Sequence, residues 1–265
     1  MSLDERKAII YTAPRHSLYI GRVERAFKRV NVASTLLVSL DDDLKLHDPG
    51  NRQVIASKSL LIPPGMNLEI DTQGSRLALG FLDDMGKDFA RLVPQMRAFH
   101  DLGDGQSVYA GLRHENALIQ EAEALSRERP ATSEAVAQLD GWIASGKGEV
   151  EVAFDERVAR AASLIRANYT QNTSVAEIAR QVNLSVPRLI QLFKQVTGTP
   201  IRRYRLWLRI FATAERLTRG FSLTEAALAS GFCDYAQFSR VYRELSGGSP
   251  SAAKNNTEIR VMRRH

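Results

Sequence analysis

The stretch AEIARQVNLSVPRLIQLFK, Ala176 to Lys194, constrains the fold more than any other part of this chain. Its apolar residues recur every three or four positions, as on an amphipathic helix, yet Asn183-Leu184-Ser185 interrupts them in the middle. The pattern predicts two short helices with a tight polar joint. Ser174 is placed to cap a first helix over Val175 to Gln181, with Glu177 completing a capping box. Val175, Ile178, Ala179 and Val182 then face inward. Asn183 ends the helix, because asparagine tolerates the left-handed backbone that a tight exit demands. Leu184 plugs the joint, Ser185 caps the second helix, and Pro187 lies in its first turn, where a missing N–H is harmless. Leu189, Leu192, Phe193 and Val196 make the buried stripe. Pro187, Arg188, Ile190, Gln191, Lys194 and Gln195 are left on the other faces.

Such a pair is a helix-turn-helix, and its second helix has the shape and the donors to enter a major groove. A single pair is equally an ordinary hairpin in a helical bundle. Recurrence shifts the balance. In EAALASGFCDYAQFSRVYRE, Glu225 to Glu244, Gly231 takes the exit of Asn183 and Phe232 the place of Leu184, after a helix that Ser222 caps. Cys233 stands at the next capping position, and Phe238, Val241, Tyr242 and Leu245 repeat the inward stripe. The offset between the copies is 48 residues before the joint and 49 after it, so the second turn is one residue longer. Gly198-Thr199-Pro200 and Gly247-Gly248-Ser249-Pro250 close the two copies alike. Between them a helix can run from Pro200 to about Thr218, roughly 27 Å at ~1.5 Å per residue. Successive major-groove faces of B-DNA are ~34 Å apart, so this rod can space two groove-reading helices.

Charge agrees. From Asp155 onward there are 18 Lys+Arg against 8 Asp+Glu, a net +10 within a total of +6, so the first 154 residues are net acidic. Positive charge segregated in this way points to a polyanionic partner for the second half. No apolar run approaches the ~18 residues of a membrane span, and the N-terminus lacks the apolar core of a signal peptide. A single cysteine, Cys233, allows no internal disulfide, which fits a reducing, cytoplasmic setting.

The first half reads differently. SLYIGRV, STLLVSL, RQVIASKSLLI and SRLALGFL are short runs rich in branched residues, separated by Asp, Pro and Gly turn material. They predict a small β-barrel or sandwich. KDFARLVPQMRAF, LRHENALIQEAEALSRE and ATSEAVAQLDGWIAS follow with helical spacing. The glycines and charges of SGKGEVEV mark a linker. The expected class is α+β. Residues 1–145 form a small barrel with trailing helices, 146–154 the linker, 155–253 a double helix-turn-helix domain, and 254–265 a polar basic tail.

Residues from about Asp155 to Ser251 resemble the DNA-binding domain of AraC-type bacterial transcription regulators, in which two helix-turn-helix units flank one linker helix. SVAEIARQVNLSVPRLIQLFKQVTGTPIRRYRLWLR and EAALASGFCDYAQFSRVYRELSGGSP carry the resemblance. It implies base-edge contacts from Pro187, Arg188, Ile190 and Gln191 in the first unit. In the second it implies them from Asp234, Tyr235, Ala236, Gln237 and Arg240. Pro187 and Ile190 replace polar or larger residues, so the first helix is expected to read through Arg188, Gln191 and thymine-methyl contacts. Ser185, Lys194, Arg202, Arg203 and Arg243 are the phosphate candidates, with Arg205 beside them on the linker helix. Ala253 and Lys254 stand where a Tyr-Arg pair usually closes the last helix.

The N-terminal region is similar, more weakly, to the cupin-like effector and dimerisation domain of the same family, with LLIPPG as a shared turn. Related barrels carry metal-binding histidines that NVAS and MNLEI lack here, so no metal or other cofactor is expected. The resemblance further implies activation through RNA polymerase, a homodimer formed through the N-terminal domain, and a small-molecule effector of unidentified kind.

Other residues attract plainer readings. His16, His47, His100 and His114 are scattered, without metal-ligand spacing, and are read as packing or surface histidines. Asp41-Asp42-Asp43 is read as a turn, Cys233 as a small capping residue, and Trp207 with Phe211 as core. An enzyme housed in the barrel and a nonspecific architectural DNA binder are the competing functions. The missing histidines oppose the first, and the matched second helices oppose the other.

Overall fold

The computed structural model describes residues 7–13, 15–23, 26–47, 54–82, 85–103, 106–145, 155–171 and 173–262. The expected linker, 146–154, lies outside the described residues.

Nine strands come first: β1 (Ala8–Thr12), β2 (Ser17–Arg22), β3 (Ala26–Val30), β4 (Thr35–Ser39), β5 (Leu44–His47), β6 (Val54–Ser57), β7 (Ser59–Ile62), β8 (Asn67–Asp71) and β9 (Arg76–Phe81). Helix α1 (Lys87–Leu92), strands β10 (Met96–Gly103) and β11 (Gln106–Leu112), and helices α2 (Glu115–Glu128) and α3 (Thr132–Ala144) complete the N-terminal half. One eight-stranded sheet has the order β10-β11-β7-β4-β9-β2-β1-β12, where β12 (Thr257–Val261) arrives from the far end of the chain. A second sheet has the order β3-β8-β5-β6.

The expected barrel is therefore corrected: the large sheet is open, with β10 and β12 at its two edges. The reason lies in its middle. Every residue of β4 and of β7 is buried, so the sheet needs cover on both faces. On one face Leu37, Leu60, Leu77 and Leu79 pack with Leu44, Leu46, Leu68 and Ile70 of the small sheet. On the other, Ile9, Tyr11, Leu18 and Leu36 meet Leu118, Leu139 and Trp142 of α2 and α3. Closing the sheet on itself would leave one of those faces without its layer.

KDFARLVPQMRAF also departs from its helical reading. α1 stops at Leu92, Val93–Gln95 makes one 3₁₀ turn, and Met96 opens β10. Pro94 explains the break, since it has no N–H to donate and its ring clashes with the preceding turn. Asp41, at the acidic turn, accepts from Arg76 at 2.6 Å, and Arg76 also reaches Glu123 at 3.0 Å.

The C-terminal half is helical: α4 (Glu156–Ala167), α5 (Val175–Gln181), α6 (Val186–Thr197), α7 (Ile201–Leu217), α8 (Leu223–Ala229), α9 (Tyr235–Ser246) and α10 (Pro250–Asn256). Val158, Ile165, Ile178, Leu189, Phe193 and Tyr204 form the core of the first unit. Ile210, Ala227, Phe232, Phe238, Val241 and Leu245 form that of the second, joined by Val32 from the N-terminal half. Trp207 and Phe211 meet Phe81 of β9 edge-on, at centroid distances of 5.1 and 6.2 Å. Their rings are thus interface between the halves as well as core. Part of the polar tail expected over 254–265 is regular structure. Lys254–Asn256 finish α10, and Thr257–Val261 pair in parallel with β1. Among the described residues no helix is long and apolar enough to cross a membrane.

Candidate nucleic-acid interface

Each helix pair owes its shape to its caps. Ser174 Oγ accepts from the Glu177 N–H at 3.1 Å, opening α5 where the spacing places it. The expected reciprocal bond is absent from the described contacts. Glu177 instead accepts from Arg180 at 2.6 Å and from Gln181 at 2.7 Å, and the Arg180 bond first of all holds its carboxyl below the usual range. The complete capping box sits in the second unit, between Ser222 and Glu225 ahead of α8.

Asn183 and Gly231 occupy the two exits with φ of 55° and 92°. A Cβ on Gly231 would stand 2.9 Å from the Thr170 carbonyl oxygen, so that exit requires glycine for space as well as for dihedral angle. Ser185 caps α6, as expected. Cys233 does not cap α9: Asp234 does, accepting from the Gln237 N–H at 2.6 Å. The extra residue in the second turn displaces the cap by one position. Cys233, exposed, donates its backbone N–H to Gln237 Oε1 at 3.0 Å instead. Both second helices then run twelve residues and end on a left-handed glycine, Gly198 and Gly247.

On α6, Pro187, Arg188, Ile190 and Gln191 form one exposed patch, with Ile190 47% exposed despite its apolar side chain. Arg188 Nη1 donates to Gln191 Oε1 at 3.0 Å, which presents the guanidinium and the amide together. On α9, Ala236 and Arg240 are exposed. Asp234 and Gln237 serve the cap, and Tyr235 is half-buried, its ring against Phe238 and its hydroxyl 3.2 Å from Ser251 Oγ. The first unit thus offers a preformed patch, whereas in the second Ala236 and Arg240 stand free of the cap.

The phosphate candidates flank these patches. Lys194 and Arg202 are exposed, Arg203 lies 3.3 Å from Glu244, and Arg243 donates to Ser239 Oγ at 2.7 Å. Arg205 is turned inward and donates to the Thr173 carbonyl at 2.5 Å. Arg209, one turn on, donates to the Tyr169 carbonyl at 2.9 Å. Burial lowers the pKa of both arginines, and both brace the loop between α4 and α5.

Sequence reasoning missed the space between the halves. A cavity of about 620 Å³ is walled by Tyr19, Leu79 and Phe81 on one side and by Trp207, Phe211 and Leu217 on the other. Gly247–Pro250 and Ile259 of β12 also line it, together with Lys7 and Lys254. Tyr19 donates to the Arg22 carbonyl at 2.6 Å, and burial pushes its hydroxyl pKa up. The only sequence signal was an aromatic excess on α7 beyond what one helical face needs.

Residues 178–256 match the helix-turn-helix domain family HTH_18. The raffinose operon transcriptional regulatory protein RafR of Pediococcus pentosaceus is 27% identical over 119 residues, 44% of this chain and 43% of that protein. The arabinose operon regulatory protein of Escherichia coli K12 is 32% identical over 110 residues, 41% of this chain and 38% of that one. The chain thus spans less than half the length of these curated relatives. Across nearly the whole fold, ToxT from Vibrio cholerae O395 superposes with a TM-score of 0.60 at 14% identity, covering 92% of this chain and 98% of ToxT. Residues 178–256 are thus a helix-turn-helix domain, and the resemblance of this part of the chain to AraC-type transcription regulators is shown.

Proposed function

We propose that this chain is a sequence-specific transcription regulator that reads two successive major grooves, α6 in one and α9 in the next, under the control of its N-terminal half. The observation that carries this reading is the repetition of one reading head. α6 and α9 have equal length, side-chain caps at their starts and left-handed glycines at their ends, and they flank the 17-residue α7. At ~1.5 Å per residue α7 is roughly 26 Å long, of the order of one turn of B-DNA.

Control by a small molecule is supported by the cavity, which both halves wall. An apolar interior with Lys7 and Lys254 at its lining suits an apolar molecule with an acidic head. A crystal structure of ToxT is described as unsaturated fatty acid bound. Activation through RNA polymerase and pairing of two chains through the N-terminal half belong to this reading by family resemblance. Hydroxyl-radical footprinting of the full chain on its cognate DNA tests the two-groove claim. Two protected faces about 10 base pairs apart are expected. One protected face, with the second unit leaving no mark, would contradict it.

A further inference from the structure

The last strand performs a task that neither DNA reading nor the cavity's contents requires. β12 joins the large sheet beside β1, with Ile9 opposite Glu258 and Tyr11 opposite Arg260, and is the one parallel pairing among the described strands. The Met262 N–H extends the ladder to the Thr12 carbonyl at 2.8 Å. Side chains fasten it to the loop after α2. Arg129 pairs with Glu258, and Arg260 donates to the Arg129 carbonyl and, at 2.7 Å, to the Pro130 carbonyl.

Chain connectivity makes this attachment mechanical. β12 follows α10 directly, and α10 is separated from α9 only by Gly247-Gly248 and the cap Ser249. The end of the second reading helix is therefore tied to the N-terminal sheet through one short helix. The first unit joins the N-terminal half at its other end, where the chain runs from α3 into α4 ahead of its helix pair, and it also meets that half where Pro64 abuts Gly198. The tie is also weakly held. All five residues of β12 are half-exposed, it forms the outermost strand of its sheet, and its ion pair is partly open to solvent. Its release would uncover the Ile259 side of the cavity.

We infer that β12 is a releasable strap that makes the second helix-turn-helix unit, and not the first, move with the N-terminal sheet. Closed, it hands any shift of β1 to α10 and α9. Open, it leaves the second unit held to that half by side-chain packing such as that of Val32, and uncovers the Ile259 side of the cavity in the same step.

Hydrogen exchange on the full chain tests this without DNA or effector, so the result does not depend on the proposed function. The comparison is with a chain ending at Asn256 and with the double variant Glu258→Ala/Arg260→Ala. Loss of the strand should speed exchange of the β1, α9 and α10 amides by about tenfold or more, leaving α5 and α6 within about twofold of wild type. The double variant should shift the same segments in the same direction by less. Equal acceleration in both units, or none in α9 and α10, would overturn the inference. If the truncated chain fails to fold, the double variant, which keeps the whole ladder, decides by the same criterion.

Discussion

Raising salt from 50 to 200 mM is expected to weaken DNA binding by the full chain by roughly 10³–10⁵-fold, with a log–log slope of about −5 to −9. Neutralising phosphates with lysine and arginine releases condensed counterions, and roughly 6–10 such contacts give that slope. The charge for it is segregated: +10 from Asp155 onward. Exposed Lys194 and Arg202 require no rearrangement, while Arg203 and Arg243 exchange Glu244 and Ser239 for phosphate. Arg205 and Arg209 contribute little, because their guanidiniums are spent on the Thr173 and Tyr169 carbonyls. Affinity measured by fluorescence anisotropy across this range checks the prediction. A slope near zero would remove the electrostatic basis of the interface.

The second large effect concerns stability. His16 is buried between two carboxylates, with Nε2 at 2.5 Å from Asp88 and Nδ1 at 2.6 Å from Asp140. Burial alone would lower its pKa, but the hydrogen bonds and charges of Asp88 and then Asp140 outweigh it and leave the pKa raised. Asp88 is itself buried, so Asp88→Ala leaves His16 Nε2 without its buried partner while Asp140 still holds Nδ1, and should cost about 1–3 kcal/mol. The sign of the pH dependence follows from the raised folded value. This contribution is fully present below the unfolded histidine pKa of about 6.5 and is lost as pH rises through the folded one. Thermal melts should therefore show the wild type losing stability from pH 6 towards pH 9, and Asp88→Asn losing much less. A wild-type curve that rises over that interval would show that His16 is not held charged.

The C-terminal domain was legible because its signals are local. Caps, exits and inward stripes lie within four residues of one another, so the boundaries of α5 were readable from Ser174 and Asn183. The misplaced cap at Cys233 shows the limit: once a turn is one residue longer, spacing alone does not say which of two polar positions the backbone selects. The N-terminal half depends on distant pairings. Nothing near His16 announces Asp88 and Asp140, which lie 72 and 124 residues away. TEIRV reads as part of a polar tail because an edge strand needs no buried alternation, and its partner β1 lies some 250 residues earlier. The cavity belongs to neither half and has no motif of its own.

The central claim is that α6 and α9 read bases while neighbouring cations hold phosphate, and titrating four variants against the cognate site and a scrambled one tests it most directly. Arg188 and Arg240 are exposed, one on each second helix. A bidentate arginine–guanine pair is worth ~1–3 kcal/mol of discrimination. Arg188→Ala and Arg240→Ala should therefore weaken cognate binding more than scrambled binding, each at its own end of the site. Lys194→Ala and Arg243→Ala should weaken both alike and lower the salt slope by about one. If Arg188→Ala and Arg240→Ala reduce cognate and scrambled affinity equally, these arginines only anchor the protein, and the base-reading roles assigned to α6 and α9 are wrong.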